Sequence, residues 1–337
     1  MAILVTGGTG YIGSHTCVEL LNSGYEIVVV DNFSNSTPDT IDKIKKITDK
    51  TFPFYRGNVE DKTLLENIFN VHPIEAVIHF AGLKSVGESV SNPLKYYQVN
   101  IMSTLVLCEV MKKFDVKKIV FSSSATVYGN PEKLPITEDS ATQTTNPYGY
   151  TKLVIENILQ DIYTSDRGWS ICLLRYFNPI GAHTSGIIGE NPVGIPNNLL
   201  PYIAKVAIGE LDFVNVFGND YNTFDGTGVR DYLHVVDLSL GHIKALEYVL
   251  SSTGIDTVNL GTGVGYSVLQ IIKSFEKASG KKINYRIVGR RDGDIAECYA
   301  DTSKAEKVLG WVARRNIDEM CKDTWRYILN TTCRVKA

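Results

Sequence analysis

Residues 3–13 read ILVTGGTGYIG, and their alternation between apolar residues and glycine decides the fold. Ile3, Leu4 and Val5 form a short apolar run, the pattern of a strand buried on both faces of a parallel sheet. Gly7, Gly10 and Gly13 follow at GxxGxxG spacing, and Ile12, Thr16, Leu20 and Leu21 then recur on one helical face. Strand, glycine turn and helix N-terminus together make a phosphate site. Glycine lets the backbone turn tightly and approach a pyrophosphate, while the free N–H groups and positive end of the helix stabilise its charge. The spacing differs from the GxGxxG of ordinary dehydrogenases, and a plain structural turn carries the same triplet. The flanking strand and helix supply the context that favours a dinucleotide.

Outward from that turn, residues 27–30 read as a second strand with Asp31 at its C-terminal end. Asp31 stands 31 − 13 = 18 residues after the last glycine, near the spacing of about 20 expected for the acid that binds the adenosine ribose. A carboxylate there accepts from the ribose hydroxyls and repels a 2′-phosphate, which predicts NAD rather than NADP. The competing reading is a solvated turn aspartate. The polar loop Asn32, Phe33, Ser34, Asn35 and Ser36 is placed to hold the same ribose. Residues 51–56 predict a third strand ending at Gly57 and Asn58, where an adenine edge would be read. Residues 76–80 predict a fourth, followed by AGLKSVGES, in which Ala81 and Gly82 permit close approach and Lys84 adds positive charge. A long helix over 93–114 and a fifth strand over 118–122 continue the alternation. The expected class is therefore α/β, a Rossmann-type doubly wound parallel sheet with ligands at the carboxyl ends of its strands.

The fifth strand runs into Ser122, Ser123, Ser124, Ala125 and Thr126, and NPYGYTK (146–152) then opens a helix. Tyr148 and Lys152 stand at i and i+4, on one helix face about 6 Å apart along the axis. A phenol with a free pKa of about 10 becomes a usable base near neutrality only when positive charge favours its anion. A close ammonium and a nicotinamide cation would provide that charge, and Ser124 could bond the same substrate hydroxyl. YxxxK alone also describes a solvated helix face; the preceding fold and serine-rich strand end favour chemistry.

After a strand over 170–175 the regular alternation weakens. GIPNNL (194–199) leads into a helix, and 213–217 resembles a strand. Arg230 and Arg291 could clamp a diphosphate through paired hydrogen bonds, or be two surface arginines. The expected division is residues 1–177 for the dinucleotide and 178–337 mainly for a smaller α/β substrate-binding domain, with the last helices packing back on the sheet. The histidines His15, His79 and His234 read as packing or hydrogen-bonding residues.

The chain has 337 residues, 44% hydrophobic and 21% charged, with net charge −3, which describes an ordinary globular protein without a polyanion partner such as nucleic acid. No apolar run approaches the roughly 18 residues of a membrane span. The start lacks a basic n-region, so no signal peptide is expected. Six cysteines are scattered without CxxC spacing, which favours reduced thiols in a cytoplasm. No His or carboxylate spacing suggests a metal.

Together these residues resemble the extended short-chain dehydrogenase/reductase superfamily and, within it, the UDP-galactose/UDP-glucose 4-epimerases. TGGTGYIGSHT, HFAGLKSVGES, FSSSATVYG, NPYGYTK, LRYFNP, GIPNNL and FGNDY…DGTGVRDY occur in family order over nearly the whole chain. The resemblance implies tightly held NAD, UDP-hexose substrates and a homodimer joined by helices around 93–114 and 148–163. It implies Tyr148 as base, Lys152 on the nicotinamide ribose and Ser124 on the reacting hydroxyl. It assigns Gly7, Gly10, Tyr11, Ile12, Gly13, Asp31, Asn32, Phe33, Ser34, Asn35, Ser36, Asn58, Val59, Phe80, Ala81, Gly82, Lys84 and Phe177 to NAD, with the catalytic three. Thr126, Asn178, Asn198, Leu199, Asn215, Phe217, Arg230, Tyr232, Arg291, Asp294 and Cys298 fall to the sugar nucleotide, beside Ser124 and Tyr148. The implied reaction is a transient oxidation at the sugar C4, rotation of the keto sugar, and return of the hydride to its other face.

Two positions depart from the family pattern. Asn58 stands where Asp is frequent, and an amide oxygen can still accept from adenine. Cys298 stands where members restricted to UDP-galactose and UDP-glucose carry a bulky Tyr, so room for a 2-acetamido group is expected unless Tyr299 closes the pocket. The rivals are a sugar-nucleotide 4,6-dehydratase, which needs an acid pair where Ala125 and Thr126 stand, a keto-sugar reductase, against which Asp31 argues, and a non-catalytic NAD-sensing regulator.

Overall fold

A computed structural model of the chain describes residues 1–192, 196, 198–291 and 293–335. Residues 194, 195 and 197 of GIPNNL, and residue 292, lie outside the described residues.

The first half alternates as its sequence periods require: β1 (Ala2–Thr6), α1 (Tyr11–Asn22), β2 (Glu26–Asp31), α2 (Asp39–Thr48), β3 (Phe54–Arg56), α3 (Lys62–Val71) and β4 (Ile74–His79). A short α4 (Val86–Ser91) precedes the long α5 (Pro93–Lys113), then β5 (Lys118–Ser122), α6 (Pro147–Ser165) and β6 (Ser170–Tyr176). The third strand is shorter than its apolar run: Pro53 has no N–H to give, although its carbonyl still accepts from Val29 at 3.0 Å. The second half holds β7 (Asn178–Ile180), α7 (Leu199–Ala207), β8 (Val214–Phe217), β9 (Val229–His234), α8 (Val235–Ser251), β10 (Gly254–Leu260), β11 (Gly265–Ser267), α9 (Val268–Ser279), β12 (Tyr285–Val288), β13 (Glu297–Cys298) and α10 (Ile317–Val335).

Seven strands form one parallel sheet in the order β10-β6-β5-β4-β1-β2-β3, as expected of a doubly wound α/β fold. Successive side chains leave opposite faces. Ile3 and Val5 pack with Cys17 and Leu20 of α1 and Leu238 and Leu246 of α8, while Leu4 packs with Ile68 of α3, Met111 of α5 and Leu159 of α6. The order reverses between β1 and β4, so the glycine turn and the loop after β4 flank a crevice at the sheet's carboxyl edge.

The return of the chain to this sheet differs from expectation. The segments that return are β10 and α8, from the middle of the second half, and Ala305, Leu309 and Trp311 after β13; α10 packs instead on α7 and α9. The cause is α8's broad apolar face, with Leu238, Ile243, Leu246 and Val249 all buried in the sheet's core. A separate core joins Leu200 and Ile203 of α7, Val214 and Val216 of β8, Ile271 and Phe275 of α9, and Met320 and Cys321 of α10. Between the two cores, β9 pairs with β11 and β13 through its first residues and with β7 through its last. No helix among the described residues is long and apolar enough to cross a membrane.

Candidate active site

The glycine turn is close-packed at two positions and open at the third. Gly7 has φ +69°, and a Cβ there would lie 2.8 Å from the Ala81 nitrogen. A Cβ on Gly13 would run into the Gly7 carbonyl oxygen, so glycine alone lets α1 start against the turn. A Cβ on Gly10 would meet only that same oxygen, at 3.3 Å. Gly10 caps α1 without any side-chain hydrogen bond, so no side chain at the cap satisfies the helix's first-turn N–H groups. An anion fits there.

Around this turn the remaining cofactor candidates gather. The Asp31 carboxylate accepts from Thr9 N–H at 3.0 Å and Phe33 N–H at 2.8 Å, and Ser36 Oγ lies 2.7 Å from Thr9 Oγ1. Asn32 turns the loop by accepting from Ser34 N–H at 2.8 Å, and exposed Asn35 follows. Phe33 stacks on Phe54 at 5.2 Å. Val59 is buried under the third strand's end, and the Asn58 oxygen already accepts from Asn32 at 2.8 Å. Across the crevice Phe80 packs on His242 at 4.6 Å, and Gly82 lies against the Asn100 amide. Lys84 is shared with an acid: its ammonium is 3.4 Å from Glu190, whose side chain is nearly buried. Tyr11 donates to the Gly181 carbonyl at 2.7 Å, linking turn to second half.

NPYGYTK folds as its residues dictate. Asn146 caps α6 by accepting from Gly149 N–H at 2.9 Å, and Pro147 takes the first position, where no N–H is needed. Tyr148 and Lys152 thereby share the face turned to the sheet, 7% and 5% exposed. Lys152 Nζ donates to the Ser122 carbonyl at 2.8 Å and sits 4.8 Å above the Phe121 ring. Ser124 opens the turn after β5, accepting from Thr126 N–H at 3.2 Å and from Thr126 Oγ1 at 2.9 Å. Burial pushes the Lys152 ammonium down to about 8. Burial also pushes the Tyr148 phenol well above its ordinary value, with Ser124's hydrogen bond pulling the other way. Within the protein's own groups desolvation sets the direction, while the expected lowering rests on the ammonium together with a nicotinamide cation.

The sugar-nucleotide candidates converge from the second half. Arg230 and Tyr232 alternate along β9, with Asn178 of β7 paired beside Tyr232. Asp294 draws the two arginines together: it accepts from Arg291 Nε at 2.9 Å and lies 3.9 Å from Arg230 Nη2. The Arg291 guanidinium covers the Phe217 ring at 4.5 Å, so the pair forms one cluster rather than two scattered surface charges. Asn215 accepts from Arg286 at 2.8 Å. Asn198 donates to Glu190 at 2.6 Å just before Leu199 begins α7. Phe177 and Cys298 pack into one apolar cluster with Ala125 and Leu153.

The profile of the GDP-mannose 4,6 dehydratase family matches residues 4–324. UDP-glucose 4-epimerase of Bacillus subtilis is 64% identical over 327 residues, covering 97% of this chain and 96% of that one. Among solved structures, UDP-glucose 4-epimerase from Bifidobacterium longum in complex with NAD+ and UDP superposes with a TM-score of 0.95 at 56% identity, covering 98% of this chain and 99% of that chain. UDP-glucose 4-epimerase from Stenotrophomonas maltophila, with bound NAD and formylated UDP-arabinopyranose, gives 0.97 at 48% identity, covering 99% of each chain. The chain belongs to the UDP-glucose 4-epimerase family.

Several features of this UDP-glucose 4-epimerase family member were not legible in short motifs. Glu190 bridges Lys84 and Asn198, one from each half. Asp231, between Arg230 and Tyr232, points the opposite way and accepts from Thr262 N–H, Thr262 Oγ1, Gly263 N–H and Ala300 N–H. Elimination chemistry would need an acid beside Ser124, where Ala125 is packed into the apolar cluster and Thr126 donates to Ser124.

Proposed function

We propose that Tyr148, Lys152 and Ser124 carry the 4-epimerisation of UDP-glucose and UDP-galactose in this chain. The protein is an isomerase of the epimerase family, and its cofactor is NAD. Bound at the α1 N-terminus, NAD supplies reversible oxidation at the sugar C4 and a cationic ring that favours the phenolate. Tyr148 takes the 4-hydroxyl proton and later returns it, while Ser124 bonds that hydroxyl. Lys152, tethered to the Ser122 carbonyl, brings an ammonium to the same face. Arg230 and Arg291 bind the diphosphate, and Asp294 sets their spacing. Anchoring the nucleotide through its diphosphate leaves the keto sugar able to turn over. The buried Tyr148–Lys152 face beside Ser124 is the observation that carries this reading. Purified protein given UDP-galactose with no added NAD should form UDP-glucose, read by anion-exchange chromatography. No turnover even with NAD supplied would overturn it.

The substrate range extends, in this reading, to UDP-GlcNAc and UDP-GalNAc. Cys298 supports it: a small side chain beside Phe177 and Ala125, whereas the Tyr299 ring lies toward Gly265, away from that cluster. Cys298→Tyr should suppress acetamido-sugar turnover and spare UDP-galactose; equal loss of both would refute the gate. Residues 1–177 with 235–260 serve the cofactor and most of the remainder the sugar nucleotide. A homodimer through α5 and α6 fits the exposed Leu94, Met102, Leu105 and Tyr150, and sedimentation at half the dimer mass would exclude it. The unpaired Cys17, Cys108, Cys172, Cys298 and Cys321 suit a reducing cytoplasm.

A further inference from the structure

One buried ion pair stands behind the proposed catalytic face. Tyr148, Lys152 and Glu156 fall at i, i+4 and i+8 of α6, so one stripe carries all three toward the sheet, and Glu156 is 4% exposed. Its carboxylate is gripped by Arg175 of β6, Nε at 3.0 and 3.2 Å from the two oxygens and Nη2 at 2.6 Å. Ser123 Oγ donates to the same carboxylate. Arg175 also donates to the Glu138 carbonyl at 3.2 Å and stacks 4.9 Å from the Tyr128 ring.

The three serines that end β5 are thereby divided among three tasks. The Ser122 carbonyl holds the Lys152 ammonium, Ser123 is held by Glu156, and Ser124 is left to Thr126 and Tyr148. A buried Arg–carboxylate pair is weak grounds for stability, since an apolar pair of equal volume often serves as well. Its place here points to another use. Resting on the assignment of Ser124, Tyr148 and Lys152 made above, we infer that Glu156 and Arg175 are positioning residues for the epimerisation. They hold the Ser122–Ser124 strand end in place against α6 and set a carboxylate one turn behind the Lys152 ammonium.

The electrostatics agree in sign. Lys152 is faced by Glu156 on its own helix and His79 on β4, while Tyr176 on β6 and Tyr96 on α5 face Tyr148 beside it. His79 is pushed down to about 3 by burial, with Lys152 adding to the effect, so it is neutral at working pH. Burial pushes the phenols of Tyr96, Tyr148 and Tyr176 up. Glu156 is the anion that counters the desolvation of Lys152. Turnover that needs the ammonium is lost as pH rises through the Lys152 pKa, and removal of Glu156's charge moves that loss to lower pH.

The test is kcat and KM for UDP-galactose from pH 6 to 10, on NAD-loaded Glu156→Gln, Glu156→Asp and Ser123→Ala. Glu156→Gln should lower kcat roughly tenfold, with KM changed less than about twofold, and move the alkaline limb down by about one pH unit. Glu156→Asp, which keeps the charge, should return the limb toward the parent's. Ser123→Ala leaves no charge unpaired and so keeps the test open if Glu156→Gln does not fold; it should cut kcat about threefold with the limb unmoved. A Glu156→Gln enzyme of lowered thermal stability but parental kcat and limb would overturn the inference, as would a Ser123→Ala enzyme of parental kcat. Tyr148→Phe separates the two levels. Abolished turnover there beside an unmoved Glu156→Gln limb refutes the positioning role alone; parental turnover refutes the site assignment and this inference with it.

Discussion

Lys152→Met should make the protein more stable and inactive at once. The ammonium is 5% exposed, and burial brings its pKa from 10.5 to about 8. That depression corresponds to ~3 kcal/mol by which folding disfavours the charged form. Since the folded pKa is the lower one, this cost is fully present below pH 8, recedes between pH 8 and 10.5, and is gone above. Methionine has similar length and carries no charge, but it leaves the Ser122 carbonyl without its 2.8 Å donor. That loss costs about 1–2 kcal/mol. The net gain at pH 7 is ~1–2 kcal/mol, or a rise in Tm of roughly 1–3 °C for a chain of this size. Thermal melts of parent and variant, both NAD-loaded, would be run at pH 7 and pH 10.5. The Tm advantage should be present at pH 7 and absent or reversed at pH 10.5. An advantage that stays the same at both pH values would refute the reasoning, because only ionisation of Lys152 makes it pH-dependent.

Tyr148→Phe removes the phenol oxygen without disturbing packing, and should cut kcat at least ~100-fold while UDP-sugar binding by calorimetry changes less than about threefold. Gly13→Ala forces the start of α1 off the Gly7 carbonyl, so purified protein should carry little NAD by absorbance and fluorescence; full occupancy would contradict the packing described. Asp231→Asn points an NH2 at groups that are all donors, and should lower stability by ~2–3 kcal/mol and weaken UDP binding, because β9, the 262–263 turn and Ala300 lose their common acceptor. The pH–rate profile of the parent should fall above about pH 8, as Lys152 loses its proton.

Much of the fold was legible because local periods and tertiary roles coincide. The apolar run of β1, the glycines at 7, 10 and 13, the acid at the end of β2 and the Asn-Pro start of α6 each say locally what the sheet requires. The arginine cluster was half legible: Arg230 and Arg291 stand out, yet Asp294 makes them one site. The return of α8 and β10 to the large sheet could not be read, since a helix and a strand look the same whichever sheet they join. Glu156 and Arg175 escaped for a similar reason, because an i+8 position and a residue one strand away meet only in three dimensions. The upward push of burial on the Tyr148 phenol could not be read either, because burial is a quantity that spacing does not contain.

The path of the chain through β10 has a consequence for how the molecule can be assembled. The outermost strand on one side of the large sheet comes from residues 254–260, after β7, β8 and β9 of the smaller unit have been made and before β11, β12 and β13. A ribosome emitting residues 1–177 has produced six of the seven strands and every cofactor residue proposed here, but β6 is still a bare edge. The flank of α1 that α8 covers is open to water as well. Such an intermediate offers unpaired backbone and apolar surface to its neighbours. Gene fragments ending near residue 177 should therefore collect as aggregates rather than as a free cofactor-binding module. The two halves share one sheet, and the first lacks its outermost strand until the second has delivered it.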